Sequence, residues 1–85
     1  MNKIDFIQLI TKEVLTNDKE HTGHVDGLDD TYIIVKDGLI DPNYYKIPRK
    51  YVISYQDGKV LLNISKREVK QFEQKYPGYF KGTQA

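Results

Sequence analysis

His21, His24 and Asp26 place two imidazoles and a carboxylate within six residues, the one grouping in this chain with metal-ligand chemistry at short spacing. On a regular strand, residues 21 and 24 point to opposite faces, unless a bulge at Gly23 realigns them. Two imidazoles and one carboxylate also fall short of the four ligands that close a structural zinc site. Asp26, Asp29 and Asp30 do not follow the twelve-residue calcium loop, which ends on a ligand glutamate. Turn formation accounts for them more simply. Ser54 and Ser65 are the only serines. A nucleophile needs a base and an oxyanion site, and no histidine lies near Ser54 in sequence. The chain has no cysteine, which removes thiol nucleophiles, thiolate metal cages and disulfides. No glycine-rich phosphate loop is present. The expectation is a protein with no catalytic residue, metal or cofactor.

A denser constellation lies in "YYKIPRKYVISYQDGKVLLNIS", residues 44–65. Tyr44, Tyr45, Tyr51 and Tyr55 interleave there with Lys46, Arg49 and Lys50. Aromatic faces beside a cationic track hold single-stranded nucleic acid, and tyrosine is equally enriched at protein–protein hot spots. Dedicated nucleic-acid binders are strongly basic, whereas this chain carries a formal charge of +1 and only Arg49 and Arg67 as arginines. A protein partner is therefore the expected ligand. Tyr44, Tyr45, Arg49, Lys50, Tyr51 and Tyr55 form the candidate contact surface, and RNA is the rival.

The small net charge hides an asymmetry. Residues 1–43 hold nine carboxylates against Lys3, Lys12, Lys19 and Lys36; residues 44–85 hold nine basic side chains against Asp57, Glu68 and Glu73. Interleaving the halves in one domain brings opposite charges together, and a basic half also suits an anionic partner.

The elements that must position these residues are short. Eighty-five residues make one domain, 1–85. At that size folding buries only ~60–65% of the surface the unfolded chain exposes. Asp-Gly pairs at 26–27, 37–38 and 57–58 read as hairpin turns, because glycine accepts positive φ and aspartate tolerates it. Between them lie segments rich in β-branched and aromatic residues: 12–16, 21–25, 31–36, 44–48, 50–55 and 59–64. Gly23 inside an apparent strand predicts a bulge or bend. Pro48 cannot donate to a ladder and marks an edge or a strand break. Val60, Leu62 and Ile64 alternate onto one face.

After Ile64 the period changes. Ser65 and Glu68 have the capping-box spacing, and Val69, Phe72 and Tyr76 follow at helical spacing until Pro77-Gly78. Tyr79 and Phe80 are placed to fold back onto the barrel, and residues 81–85 are expected to fray. Residues 4–10 fit a first strand or a short helix equally. The opening residues lack a signal-peptide pattern, and nothing approaches the ~20 apolar residues of a membrane span, so a cytoplasmic protein is expected.

In this order, "EVLTNDKEHTGHVDGLDDTYIIVKD", "YKIPRKYV" and "DGKVLLNISKREVKQF" resemble the PRC-barrel superfamily, especially its small stand-alone members. The likeness covers roughly residues 12–75. Its elements here are Thr22-Gly23-His24-Val25-Asp26, the strand from Ile33 to Lys36, Ile47-Pro48 with Val52, Asp57 to Leu62, and Ser65. The resemblance implies a small antiparallel β-barrel of five or six strands with a short C-terminal helix. Members include the cytoplasmic domain of the photosynthetic reaction-centre H subunit and the C-terminal domain of a bacterial ribosome maturation factor. Archaeal stand-alone members are linked to cell-division proteins. What the family implies is a non-catalytic adaptor, with an RNA- or ribosome-associated module as the alternative. An unpaired strand edge within residues 44–55, with the exposed face of the capped helix, is the expected contact surface. Self-pairing into a homodimer would cover that edge.

Overall fold

The apolar run at residues 4–10, open between strand and helix in the sequence, forms a 3-10 helix over Phe6–Leu9. Asp5 caps it, its carboxylate accepting from the Ile7 amide at 3.3 Å. The computed structural model describes residues 4–74. Seven strands follow: β1 (Glu13–Leu15), β2 (His21–Leu28), β3 (Tyr32–Asp37), β4 (Asn43–Pro48), β5 (Val52–Gln56), β6 (Lys59–Leu62) and β7 (Glu73–Gln74). Between β6 and β7 lies the single-turn helix α1 (Lys66–Val69), continued as a 3-10 turn over Lys70–Phe72.

The fold is mainly β, as expected, but its sheet differs from an antiparallel barrel of five or six strands. One seven-stranded sheet runs in the order β5-β6-β1-β2-β3-β4-β7. It is mixed, because β1 pairs parallel with β6 while the other neighbours are antiparallel. The ladder stays open, with β5 and β7 as its edges. On the side of β4 away from β3, β7 pairs at Tyr44 and Tyr45.

The open sheet is nevertheless strongly curled. Strands β4 and β5 stand five places apart in the sheet order, which would be ~24 Å in a flat sheet. Yet only the turn Arg49–Tyr51 joins them, and four backbone steps reach at most ~14 Å. Bulges produce such curl. One interrupts the β1–β2 pairing between Glu13 and Leu15, a second the β2–β3 pairing between Val25 and Gly27, and a third the β5–β6 pairing between Val52 and Ser54.

Inside the curl lies one apolar cluster. Val14, Val25, Ile33, Val35, Tyr45, Ile47, Val52, Val60 and Leu62 enter it from six strands, and Leu9, Ile64 and Val69 close its ends. The alternation expected for Val60, Leu62 and Ile64 holds, with all three buried. Burying such side chains contributes ~1.5–3 kcal/mol each, the main stabilising term in a chain without cross-links.

Two turns follow their sequence signals and one does not. Asp57 (φ 55°) and Gly58 (φ 74°) both take positive φ between Gln56 and Lys59, the two-residue hairpin expected there. Gly38 turns the chain after β3 at φ 105°. Asp26-Gly27, however, lies within β2, where Asp26 is the extra residue of a bulge. The actual turn comes at Asp29, whose carboxylate accepts from the amides of Thr31 and Tyr32, each at 2.8 Å. An aspartate that satisfies two amides through its side chain outcompetes Asp-Gly as the turning point.

The C-terminal helix is shorter than its periodicity suggests. Helical geometry ends at Phe72, and the chain turns extended to pair with β4 at Glu73 and Gln74; Tyr76 lies outside the described residues. The expected stop at Pro77-Gly78, the return of Tyr79 and Phe80, and the fraying of 81–85 lie outside the described residues.

Candidate protein-interaction surface

Alternation along β4 sorts the tyrosines. Tyr45 and Ile47 face the core, Tyr45 only 2% exposed, whereas Tyr44, Lys46 and Pro48 take the other face. Tyr45 is therefore a core residue, which corrects its placement on the contact surface. Its burial also raises the phenol pKa above its usual range. Tyr44 stays half-buried opposite Lys36 on β3 and Gln74 on β7. Strand β4 is not an unpaired edge along that stretch.

Pro48 breaks the strand as expected, and the chain swings through the turn Arg49–Tyr51. Two backbone bonds fix this corner: Arg49 donates to the Thr31 carbonyl at 2.8 Å, and Asn63 donates to the Tyr51 carbonyl at 2.7 Å. The corner gathers cations onto rings. The Arg49 guanidinium lies 4.4 Å from the Phe6 ring, the Lys46 ammonium 4.6 Å from the Tyr32 ring and the Lys50 ammonium 5.4 Å from the Tyr51 ring. Tyr51 in turn leans on Phe72, their centroids 5.8 Å apart. Each cation thus gains a quadrupole partner of modest strength. The Arg49 Nε is buried without a hydrogen-bond acceptor among the described residues. Asp29 stands nearby, its carboxyl held below the usual carboxylate range by the amides of Thr31 and Tyr32, with Lys46 and Arg49 adding attraction. A cleft of about 400 Å³ opens here, lined by Asp30, Thr31, Tyr32, Pro48 and Lys50.

Beyond the corner runs β5, which among the described residues pairs only with β6. Its residues Val-Ile-Ser-Tyr-Gln carry no charge, and Ile53, the extra residue of its bulge, is 49% exposed. Tyr55 packs half-buried against the core cluster. The structure thus brings Arg49, Lys50, Tyr51 and Tyr55 together along one corner and edge, with Tyr44 apart on β4. Ile53, within the stretch 44–55 marked in the sequence, belongs to this surface too; Phe6, Tyr32 and Phe72 complete it and were not legible in the sequence. Their neighbours come from distant strands, and only the Tyr32–Pro48 register places Tyr32 beside the corner.

The histidines occupy a different face. The bulge at Gly23 does realign them, so that His21 and His24 line one shallow depression of about 550 Å³ with Thr11, Glu13 and Gly23. His21 pairs through Nδ1 with the Glu13 carboxylate, which Lys59 also approaches at 3.9 Å. Among the described residues no three His, Asp or Glu side chains form a group that could hold a metal ion. Ser65 serves as a helix cap: its Oγ accepts from the Glu68 amide at 3.1 Å, and the Glu68 carboxylate accepts from the Ser65 amide at 2.8 Å. Among the described residues no helix is long and apolar enough to cross a membrane. Compared with protein-family models, with curated proteins and with solved structures, the chain matches none.

Proposed function

We propose that this protein is a non-catalytic protein-interaction module of the PRC-barrel kind, working in a cytoplasmic assembly such as a cell-division complex. The observation that carries this reading is the edge of β5, unpaired among the described residues, uncharged along its length and flanked by the basic corner Arg49–Tyr51. Edge strands usually carry a charge or proline that discourages pairing. Among the described residues only the bulge at Ile53 protects the edge, and a partner strand laid beside it would gain backbone hydrogen bonds. Arg49 and Lys50 at the strand's start would favour an acidic partner and speed encounter.

The RNA-associated reading draws on the same cations. Against it, the rings of Phe6, Tyr32 and Tyr51 each already face a cation within the molecule, and a stacking base would have to displace it. A pull-down from native lysate, with and without nuclease, separates the two. Capture of a protein that survives nuclease and is lost in Arg49→Glu/Lys50→Glu is the expected result. A micromolar complex with labelled single-stranded RNA, lost in the same variant, would replace the protein-binding reading with the RNA one.

A further inference from the structure

Leu39 and Ile40, consecutive in sequence, are 89% and 92% exposed, the two most exposed large aliphatic side chains among the described residues. They tip the loop of residues 38–42 that joins β3 to β4. Two residues of this tip take positive φ, Gly38 at 105° and Asp41 at 56°. Asp37 and Asp41 flank the aliphatic pair; Asp37 lies 3.8 Å from the Lys66 ammonium, while Asp41 is exposed. Consecutive aliphatics pointed at water serve a contact elsewhere. The acidic flanks make an anionic membrane or a nucleic acid a poor match.

The same hairpin carries a complementary feature at its other end. Asp37 pairs with Asn43 next to the tip, and Tyr32 pairs with Pro48 farthest from it. The cleft of about 400 Å³ lies at this far end. Tyr32 and Pro48 give it apolar walls, and Lys50 stands on its rim. The Lys46 ammonium is poised over Tyr32. Of the two acidic neighbours, Asp29 is occupied by two backbone amides, which leaves Asp30 as the cleft's own carboxylate. The tip belongs to the acidic half of the chain and Lys50 of the cleft to the basic half.

We propose that Leu39 and Ile40 of one copy seat in the cleft between Tyr32 and Pro48 of a second copy, with Asp41 facing Lys50. The inference rests on the reading of the Arg49 corner as a protein-binding surface and names a partner for it. Knob and cleft occupy opposite ends of one hairpin, so two copies laid antiparallel can exchange both contacts about a two-fold axis. The area involved is small, so the association is weak, reversible and salt-sensitive. Strand β5 remains open to other partners.

The absence of cysteine allows a single nitroxide at Asn43→Cys, an exposed position beside the tip. Spin-labelled chain of natural isotopic abundance is mixed with isotope-labelled wild type, and amide signals of the latter are followed by NMR. Broadening at Thr31, Tyr32 and Lys50 is expected. Adding Leu39→Ser/Ile40→Ser to the spin-labelled copy should abolish it, while an isotope-labelled, spin-label-free sample of the serine pair keeps the wild-type amide spectrum away from the tip. Asp41→Lys should weaken the broadening, and Lys50→Asp in the receiving copy should restore it. The proposal is overturned by a monomer in sedimentation with no broadening at the highest attainable concentration. It is equally overturned by broadening that maps elsewhere or survives the serine pair. Partner capture lost in Arg49→Glu/Lys50→Glu but intact in the serine pair would leave the interaction reading standing after such a failure. Capture indifferent to both variants would sink that reading by itself.

Discussion

At Gly23 the backbone takes φ 86°, and a Cβ built there would sit 2.1 Å from the Lys36 carbonyl oxygen. Both the dihedral and the close approach exclude a side chain. Gly23→Ala should therefore destabilise the domain by about 2 kcal/mol or more, seen as a lower urea midpoint with an unchanged slope. A midpoint near wild type would mean that the bulge relaxes without consequence. Asp29 makes a second residue-scale prediction. Its carboxyl is held below the ordinary value by two amide donors, so its charged form favours the folded state. That stability is present above the unfolded pKa of ~3.9 and is lost as pH falls through the lower folded value. Asp29→Ala should be less stable at neutral pH, with a shallower decline below about pH 4, the two curves converging in acid. Urea denaturation across that range checks it, and parallel curves would contradict it.

Among the elements, α1 shows how a short segment is held by its ends. One turn of helix has almost no intrinsic stability, yet its first turn is satisfied three ways. Ser65 and Glu68 cap reciprocally, the Asp18 carboxylate accepts from the Lys66 amide at 3.2 Å, and buried Val69 anchors the turn to the core. The Asp18 contact stitches the β1–β2 turn to the helix start, and the Thr16 hydroxyl, joined by the Lys66 amide, lowers the Asp18 pKa. Ser65→Ala should cost ~0.5–2 kcal/mol, measured as a shift in denaturation midpoint; no shift would show the cap to be redundant with Asp18. The hairpin β5–β6 and this capping box were readable because their signals are local. Helix length was not: the spacing of Val69, Phe72 and Tyr76 continues, but pairing of Glu73 and Gln74 with β4 ends the helix earlier. Asp26-Gly27 misled for the same reason, since a glycine in a bulge and a glycine in a turn look alike in one dimension.

For the molecule as a whole, the charge asymmetry along the chain becomes an arrangement in space. Lys66 approaches Asp37 at 3.8 Å and Lys59 approaches Glu13 at 3.9 Å, so cations of the second half meet carboxylates of the first. Such exposed pairs contribute little to stability each. The cations at the Arg49 corner rest chiefly on aromatic rings and stay available to an anionic group. Partner binding should therefore weaken as salt rises, mainly through a slower association rate, while the melting temperature barely moves. Stopped-flow or surface-capture kinetics at several salt concentrations would check this. An effect confined to the dissociation rate would place the charges inside the contact instead.

The sequence by itself determined the β-rich character, the inward face of β6, the β5–β6 turn, the capping box and the special backbone at Gly23. Each follows from steric or hydrogen-bonding preferences that act within a few residues. Tertiary structure alone decided which strands are neighbours. The parallel pairing of β1 with β6, the burial of Tyr45 beneath β3 and β7, and the open ladder between β5 and β7 all depend on contacts between distant segments. Any alternating strand offers the same backbone groups to any other. The choice among partners falls to the shared core, where three bulges curl the sheet until side chains from six strands meet.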